Sequence, residues 1–331
     1  MANKKPKNTK NTKAKTAKKT NEQIAVESAV NAAKKLHKKN PKLLIAIVAI
    51  VVTAAIIVGA LYLVKPEWFR GPMPESGHLV VHYIDVGQGD STLFVNDGHY
   101  VLIDSGESEY ADKVEEYCRN VGVEKFDCII VTHPHSDHAG GMTKIVENIG
   151  CNNVIIPDID AQYITSSFYE DFIGAVSESG ADVYYAYAGD SYTYGDMRFD
   201  IISPESTGKD LNNDSVVTLV TYSDVSVLMT GDAEKKIESR IMNSYPSLKC
   251  NVLKVPHHGS STSSSPDFIR MISPENAVIS VGENNRYSHP SPSTLKTLED
   301  NGVAVYRTDY DGTVIMRTNG KQYRMETEKG K

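Results

Sequence analysis

The run His133-Pro134-His135-Ser136-Asp137-His138 constrains this chain more than any other stretch. Three of its ten histidines fall within six residues, beside a carboxylate and directly after the apolar segment 127–132. No regular strand or helix can turn four such side chains into a core. A strand-to-helix turn can bring them to one side, which is how one or two divalent metal ions are held. Imidazole suits zinc and other first-row metals, and carboxylate adds tolerance for manganese, so Zn2+ or Mn2+ is the expected cofactor. Gly140 and Gly141 would let the next helix start close to that centre.

Two more apolar segments end in metal-ligand chemistry. Leu228-Met229-Thr230-Gly231 leads into Asp232, and Lys254-Val255-Pro256 leads into His257-His258. Ligands at the ends of several strands build a site at a sheet edge. Neighbours at a strand end point to opposite faces, so one of His257 and His258 is expected to ligate and not both.

The rest of the body reads as alternating short strands and helices. Strands are expected at 78–85, 92–95, 100–104, 127–132, 153–156, 182–187 and 197–202. A hairpin over 216–222 and 225–229 turns at 223–224, and strands follow at 251–255, 277–281, 303–307 and 313–317. Helices are expected at 109–120, 138–149, 168–179, 234–243 and 292–301. This order argues for one α/β domain over 78–331, with large sheets covered by helices. Cys118, Cys128, Cys151 and Cys250 form no Cys-x-x-Cys pair and read as small buried thiols rather than disulfides.

Charge divides the chain. Thirteen lysines against Glu22 and Glu27 give residues 1–42 a charge of +11, and the remaining 22 basic and 40 acidic residues give the rest −18. The body is therefore no general polyanion binder by bulk charge. Residues 43–64 carry no charge over 22 positions, which as a helix would cover ~33 Å, enough for a bilayer core. Lys65, Trp68 and Arg70 supply the interfacial flank. A cleaved signal peptide would need a far shorter basic region and apolar run. The expected organisation is a basic cytoplasmic tail (1–42), a transmembrane helix (43–64), a Pro/Gly-rich linker (65–77) and an extracytoplasmic domain.

The combination His133-x-His135-x-Asp137-His138, Asp232 after Thr-Gly, and a late His resembles the metallo-β-lactamase fold superfamily. Asp85-Val86-Gly87-Gln88-Gly89-Asp90-Ser91, Leu102-Ile103-Asp104-Ser105-Gly106, the run from Val255 through His257-His258 into serines, and Asn285-Arg286-Tyr287-Ser288-His289-Pro290 narrow it further. They resemble the extracytoplasmic hydrolase domain of ComEC-type DNA-uptake proteins and their stand-alone relatives, over about residues 78 to 320. The resemblance implies a four-layered αββα sandwich with metals at one edge. It also implies that His133 and His135 hold a first metal, that Asp137 and His138 hold a second, and that Asp232 bridges. By similarity to phosphocholine esterases of the superfamily, His258 is the last ligand and His257 faces substrate. Many members carry a further His before the bridging Asp, but this chain has none from 139 to 256; the place reads Leu211-Asn212-Asn213-Asp214-Ser215. An amide or carboxylate there would make the first site harder and weaker than a three-His site.

Asp104 is expected to support the metal loop by hydrogen bonding. Gln88, Asp90, Asn213 and His289 are candidate substrate contacts, with turn chemistry the plainer reading for Gln88 and Asp90. The serines at 260–265 are either a flexible loop or phosphoryl-oxygen donors. His78, His82 and His99 read as structural or surface residues. The expected function is a phosphodiesterase or nuclease acting on DNA by a metal-activated hydroxide, with Asp137, Asp232 and His257 as catalytic residues. Cell-wall phosphocholine or teichoic acid, a lactam or lactone, or a catalytically silent binding module are the alternatives. A role in DNA uptake would require a polytopic competence partner, because one span makes no channel.

Overall fold

Period-two patterning builds the molecule. In the computed structural model, which describes residues 38, 40–43, 53, 78–205 and 208–330, two sheets face each other. The first has eight strands: β1 (Leu79–Tyr83), β2 (Thr92–Asn96), β3 (His99–Ile103), β4 (Phe126–Ile130), β5 (Cys151–Pro157), β6 (Asp182–Ala186), β14 (Val314–Thr318) and β15 (Tyr323–Thr327), in the order β15-β14-β1-β2-β3-β4-β5-β6. The second has seven: β7 (Ser191–Tyr194), β8 (Met197–Ser203), β9 (Val217–Tyr222), β10 (Val225–Met229), β11 (Val252–Lys254), β12 (Asn276–Ile279) and β13 (Ala304–Arg307), in the order β13-β12-β11-β10-β9-β8-β7.

Successive residues of a strand point to opposite faces, and three buried clusters follow from that. Phe94, Val101, Ile103, Cys128 and Ile130 meet Phe199, Val227, Val252 and Val278 between the sheets. The alternate residues Leu93, Leu102 and Ile129 face outward, against α1 (Ala111–Val121), α3 (Met142–Asn148) and α4 (Ser167–Ser179). Leu228, Leu253, Ala277 and Ile279 do the same under α5 (Lys235–Ser244), α6 (Pro266–Ile272) and α7 (Pro292–Asp300). Helix, sheet, sheet, helix is the layering that the family resemblance implies. Phe94 and Phe199 meet edge-to-face at 5.5 Å across the central layer. Such a pair contributes about 1 kcal/mol beyond the ~1.5–3 kcal/mol from burying each ring.

β3-β4-β5-β6 and β10-β11-β12-β13 run parallel, and the other pairs are antiparallel. Parallel neighbours need crossovers, which these helices supply. Each parallel set therefore delivers its carboxyl ends to one edge, where ligands collect in open α/β sheets.

Several expectations are corrected. The helix expected over 138–149 is two, α2 (Ser136–Ala139) and α3, broken at Gly140-Gly141. A Cβ on Gly140 would lie 2.4 Å from the Ser136 carbonyl oxygen and 2.8 Å from Ser108 N, so that close approach needs glycine. β7, α6 and β15 were not expected. β7 and β15 are edge strands whose polar residues hide the alternation, and α6 follows the serine run behind Pro266. The short α8 (Thr308–Asp311) was also unforeseen. All four cysteines are buried free thiols.

The chain divides into two units, 1–71 and 72–331. The expected span at 43–64 lies outside the described residues, apart from Leu43 and Thr53. Among the described residues no helix is long and apolar enough to cross a membrane.

Candidate metal centre

The candidate centre grows from Asp104, which directly follows β3 in a left-handed conformation at φ 58°. Its Oδ1 accepts from Thr132 N at 2.8 Å, and its Oδ2 from Thr132 Oγ1 at 2.6 Å and His138 Nδ1 at 2.7 Å. The Thr132 hydroxyl, having given its hydrogen to Asp104, accepts from His133 Nδ1 at 3.0 Å. One carboxylate thus fixes the tautomer of two histidines, and both present Nε2 forward.

Asp232, just past β10, lies between two groups. Its Oδ1 is 3.2 Å from His138 Nε2 and 3.7 Å from His258 Nε2, and its Oδ2 is 3.7 Å from His133 Nε2. His258 Nε2 is also 3.2 Å from Asp137 Oδ2, and His133 Nε2 is 3.0 Å from His135 Nδ1. Two sets result: a four-residue set of His138, Asp232 and His258 with Asp137 joined through His258, and with Asp90 close by; and His133, His135 and Asp232.

These atoms fit a cation. His138 Nε2, His258 Nε2 and Asp232 Oδ1 are buried without a hydrogen-bond partner. Bonds of ~2.0–2.1 Å around a tetrahedral ion place its ligands ~3.3 Å apart, close to the 3.2, 3.2 and 3.7 Å found in the four-residue set. Electrostatics agree. Burial opposes a proton on His138, yet Asp232 and Asp104 hold its pKa well above the ordinary value. Burial likewise opposes a charge on His258, yet Asp232 and Asp90 push it up to about 10. Burial raises the Asp232 carboxyl, but His138 and His258 outweigh it and hold the group well below the usual range. Asp137 is driven down in the same way, by His258 and His138 against burial. The carboxylates that favour positive charge on these rings would favour a divalent cation at the same atoms.

Asp90 belongs behind this centre and not in it. It lies near both histidines of the four-residue set, but on their Nδ1 sides: Oδ1 is 3.2 Å from His258 Nδ1 and Oδ2 is 3.9 Å from His138 Nδ1. Those nitrogens already donate to the Ser280 carbonyl at 2.9 Å and to Asp104. Asp90 instead pairs with the fully buried Lys254 at 2.6 Å. Burial raises the Asp90 carboxyl, and Lys254 and His258 bring it down to about 2. The loop before it needs Gly89, whose φ is +140° and whose Cβ would lie 2.4 Å from the Asp137 carbonyl oxygen.

His257 and His258 do not alternate on a strand end as expected. Both are left-handed, at φ 52°, in a tight turn after β11. The turn buries His258 and leaves His257 in the open cavity, with Nε2 at 3.6 Å from Asp232 Oδ2 and Nδ1 at 3.2 Å from Thr262 Oγ1. That cavity, of about 270 Å³, is also lined by Gln88, Asn212, Tyr287 and His289. Gln88 Oε1 accepts from Gly282 N at 3.3 Å, while its Nε2 and His289 Nδ1 are buried and unpartnered. Burial, His258 and His257 lower His289 to about 4. Asn213, the expected contact, donates to Asp210 at 2.8 Å and Glu234 at 3.2 Å and keeps a buried, unpartnered Oδ1; Asn212, which lines the cavity, has one too. His82 is buried, and His99 is paired with Asp127 at 3.3 Å.

The sequence reading missed Lys254 as the partner of Asp90; a lysine at the end of an apolar strand was the available signal. It also missed a cleft of about 730 Å³ that shares Gln88, Asp137 and Tyr287 with the cavity.

Residues 84–283 match the family described as Metallo-beta-lactamase superfamily. The chain is 33% identical over 257 residues to ComE operon protein 3 of Bacillus subtilis, covering 72% of this chain and 33% of that one. It is 31% identical over 258 residues to Recombination protein 2 of Haemophilus influenzae, covering 76% and 30%. The chain thus spans about a third of the length of these curated relatives. CmlA, a diiron beta-hydroxylase from Streptomyces venezuelae, shares the fold at 13% identity and a TM-score of 0.50, over 78% of this chain and 55% of that one.

Proposed function

Because the chain belongs to the metallo-beta-lactamase superfamily, we propose that it is a metal-dependent phosphodiesterase with DNA as its leading substrate. The observation that carries this reading is Asp232, whose two oxygens face two separate ligand sets. Kinship with competence proteins, among them Competence protein ComA of Neisseria gonorrhoeae, supports DNA as the polymer. Bound Zn2+ or Mn2+ would lower the pKa of a water toward ~7 and neutralise phosphate charge. That local charge lets an acidic body accept an anion.

The chain's own residues do the rest. Asp232 and Asp137 hold ligand geometry and orient the attacking oxygen. His257, half-open beside Asp232, is placed to give a proton to the departing oxygen. Gln88 Nε2 can donate to a phosphoryl oxygen, and neutral His289 adds a second contact at its unpaired Nδ1. We further propose that 43–64 anchors the chain in the cytoplasmic membrane, with the hydrolase outside and the basic tail inside. DNA uptake through this site then calls for a polytopic partner.

A second reading has one observation in its favour. The larger cleft carries six carboxylates, from Asp85, Glu107, Glu109, Asp137, Glu283 and Asp309, against Lys113, Arg286 and Lys329, with Tyr110 and Tyr287 on its wall. Acids and tyrosines suit an ammonium group better than a continuing polyanion, as in phosphocholine or alanylated teichoic acid.

The test is hydrolysis by the Zn2+- or Mn2+-loaded chain of plasmid DNA, single strands, a chromogenic phosphodiester, a phosphocholine ester and nitrocefin. Cleavage of DNA, lost in His257→Ala, is expected. Cleavage of the phosphocholine ester alone would shift the reading to the cell wall. Inertness toward every substrate, with metal bound, would make the chain a binding module.

A further inference from the structure

The two ligand sets are backed differently. In the four-residue set, His138 Nδ1 donates to the buried Asp104 carboxylate at 2.7 Å. His258 Nδ1 lies between the Ser280 carbonyl at 2.9 Å and Asp90 Oδ1 at 3.2 Å. Asp90 is held in turn by Lys254 at 2.6 Å, and Lys254 Nζ also donates to the Val255 carbonyl at 3.0 Å. In the three-residue set, His133 Nδ1 meets only hydroxyls, Thr132 Oγ1 at 3.0 Å and Ser215 Oγ at 3.4 Å. The proposed chemistry uses neither Asp90 nor Lys254.

A carboxylate behind a histidine makes it a more basic and better-oriented ligand than a hydroxyl does: Asp104 accepts from His138, and Asp90 stands in ion-pair contact with His258, whose hydrogen goes to Ser280. Lys254 cancels the charge of Asp90, so the pair steers His258 without adding net charge to a centre already rich in acids. The four-residue set also has one ligand more. We propose that Asp90 and Lys254 are a buried positioning pair that makes the two metal sites unequal: the ion held by Asp137, His138, Asp232 and His258 binds first and stays, and the ion held by His133, His135 and Asp232 exchanges. This rests on the two-metal reading above.

Metal counting on the purified full chain tests it. After exhaustive dialysis about one Zn2+ per chain should remain, and titration should show a second at least tenfold weaker. His258→Ala should lose the retained ion, and His133→Ala should keep it. Asp90→Asn alone would strand a buried lysine, so the double variant Asp90→Asn with Lys254→Met is the cleaner probe. It should weaken the first ion about 10–100-fold and leave the second unchanged, with the melting temperature of the metal-free chain as the folding control. Should the double variant not fold, Asp90→Glu, which keeps the ion pair but moves the carboxylate against His258, takes its place and should likewise weaken the first ion and spare the second, an unchanged first affinity overturning the pair's role. Two ions of equal affinity, retention lost in His133→Ala but kept in His258→Ala, or an unaffected folded double variant would each overturn the proposal. A folded chain that binds no metal would overturn it together with the hydrolase reading.

Discussion

Burial at His82 has a cost that appears only in acid. The ring is 6% exposed, its Nδ1 meets Tyr117 Oη at 2.9 Å, and burial, helped by Arg317, lowers its pKa to about 4. The unfolded chain takes up the proton near pH 6.5, and the folded chain not until about pH 4. Stability is therefore full above pH 6.5 and falls as the pH drops toward 4, by up to roughly 3 kcal/mol at 1.36 kcal/mol per pH unit. Urea midpoints of wild type and His82→Gln across pH 7 to 4.5 should converge as the pH falls. Parallel curves would remove His82 from the acid response. The metal ligands titrate identically in both proteins, so the difference isolates this ring.

Left-handed backbone at two adjacent histidines makes the turn after β11 a store of strain. Each such residue costs on the order of 1–3 kcal/mol and persists only where the surroundings enforce it. His257→Gly should raise the unfolding free energy by about 1 kcal/mol while phosphodiester hydrolysis falls at least tenfold. A variant no more stable than wild type, or fully active, would count against the strain or the catalytic role respectively. This turn also marks where the sequence stops being readable. Residues 133–138 were legible because their meaning is local: four ligand side chains in one strand-to-helix turn converge on one side. Strand cores such as Phe126–Ile130 were legible through length and β-branched composition. The choice between Asn212 and Asn213 was not, because a turn has no fixed period and one residue reverses direction. Nor was Asp90, whose partner Lys254 reaches it only through the packing of two sheets.

Both sheets contribute to the centre: Asp104 and the 133–138 loop come from the first, Asp232 and His258 from the second. A bound ion thus ties the sheets at their edge, whereas the three buried clusters hold the fold without it. Chelation should lower the melting temperature by about 5–10 °C, from ~2.7 kcal/mol at a hundredfold excess of metal over Kd and ~2–4 °C per kcal/mol for a domain of this size. The far-UV circular dichroism at 25 °C should stay native. Its collapse on chelation would mean that metal builds the fold instead of tying its edge. The strand order carries one more implication. β1 lies between β2 and β14, with Val81 opposite Met316, so the first strand of the domain finds one neighbour at once and the other only near the chain's end. Closing so long a loop is slow. Synthesis from the amino end leaves one side of β1 open until β14 emerges. The sheet therefore closes only once β14 has joined β1, so the fold cannot be completed strand by strand in chain order.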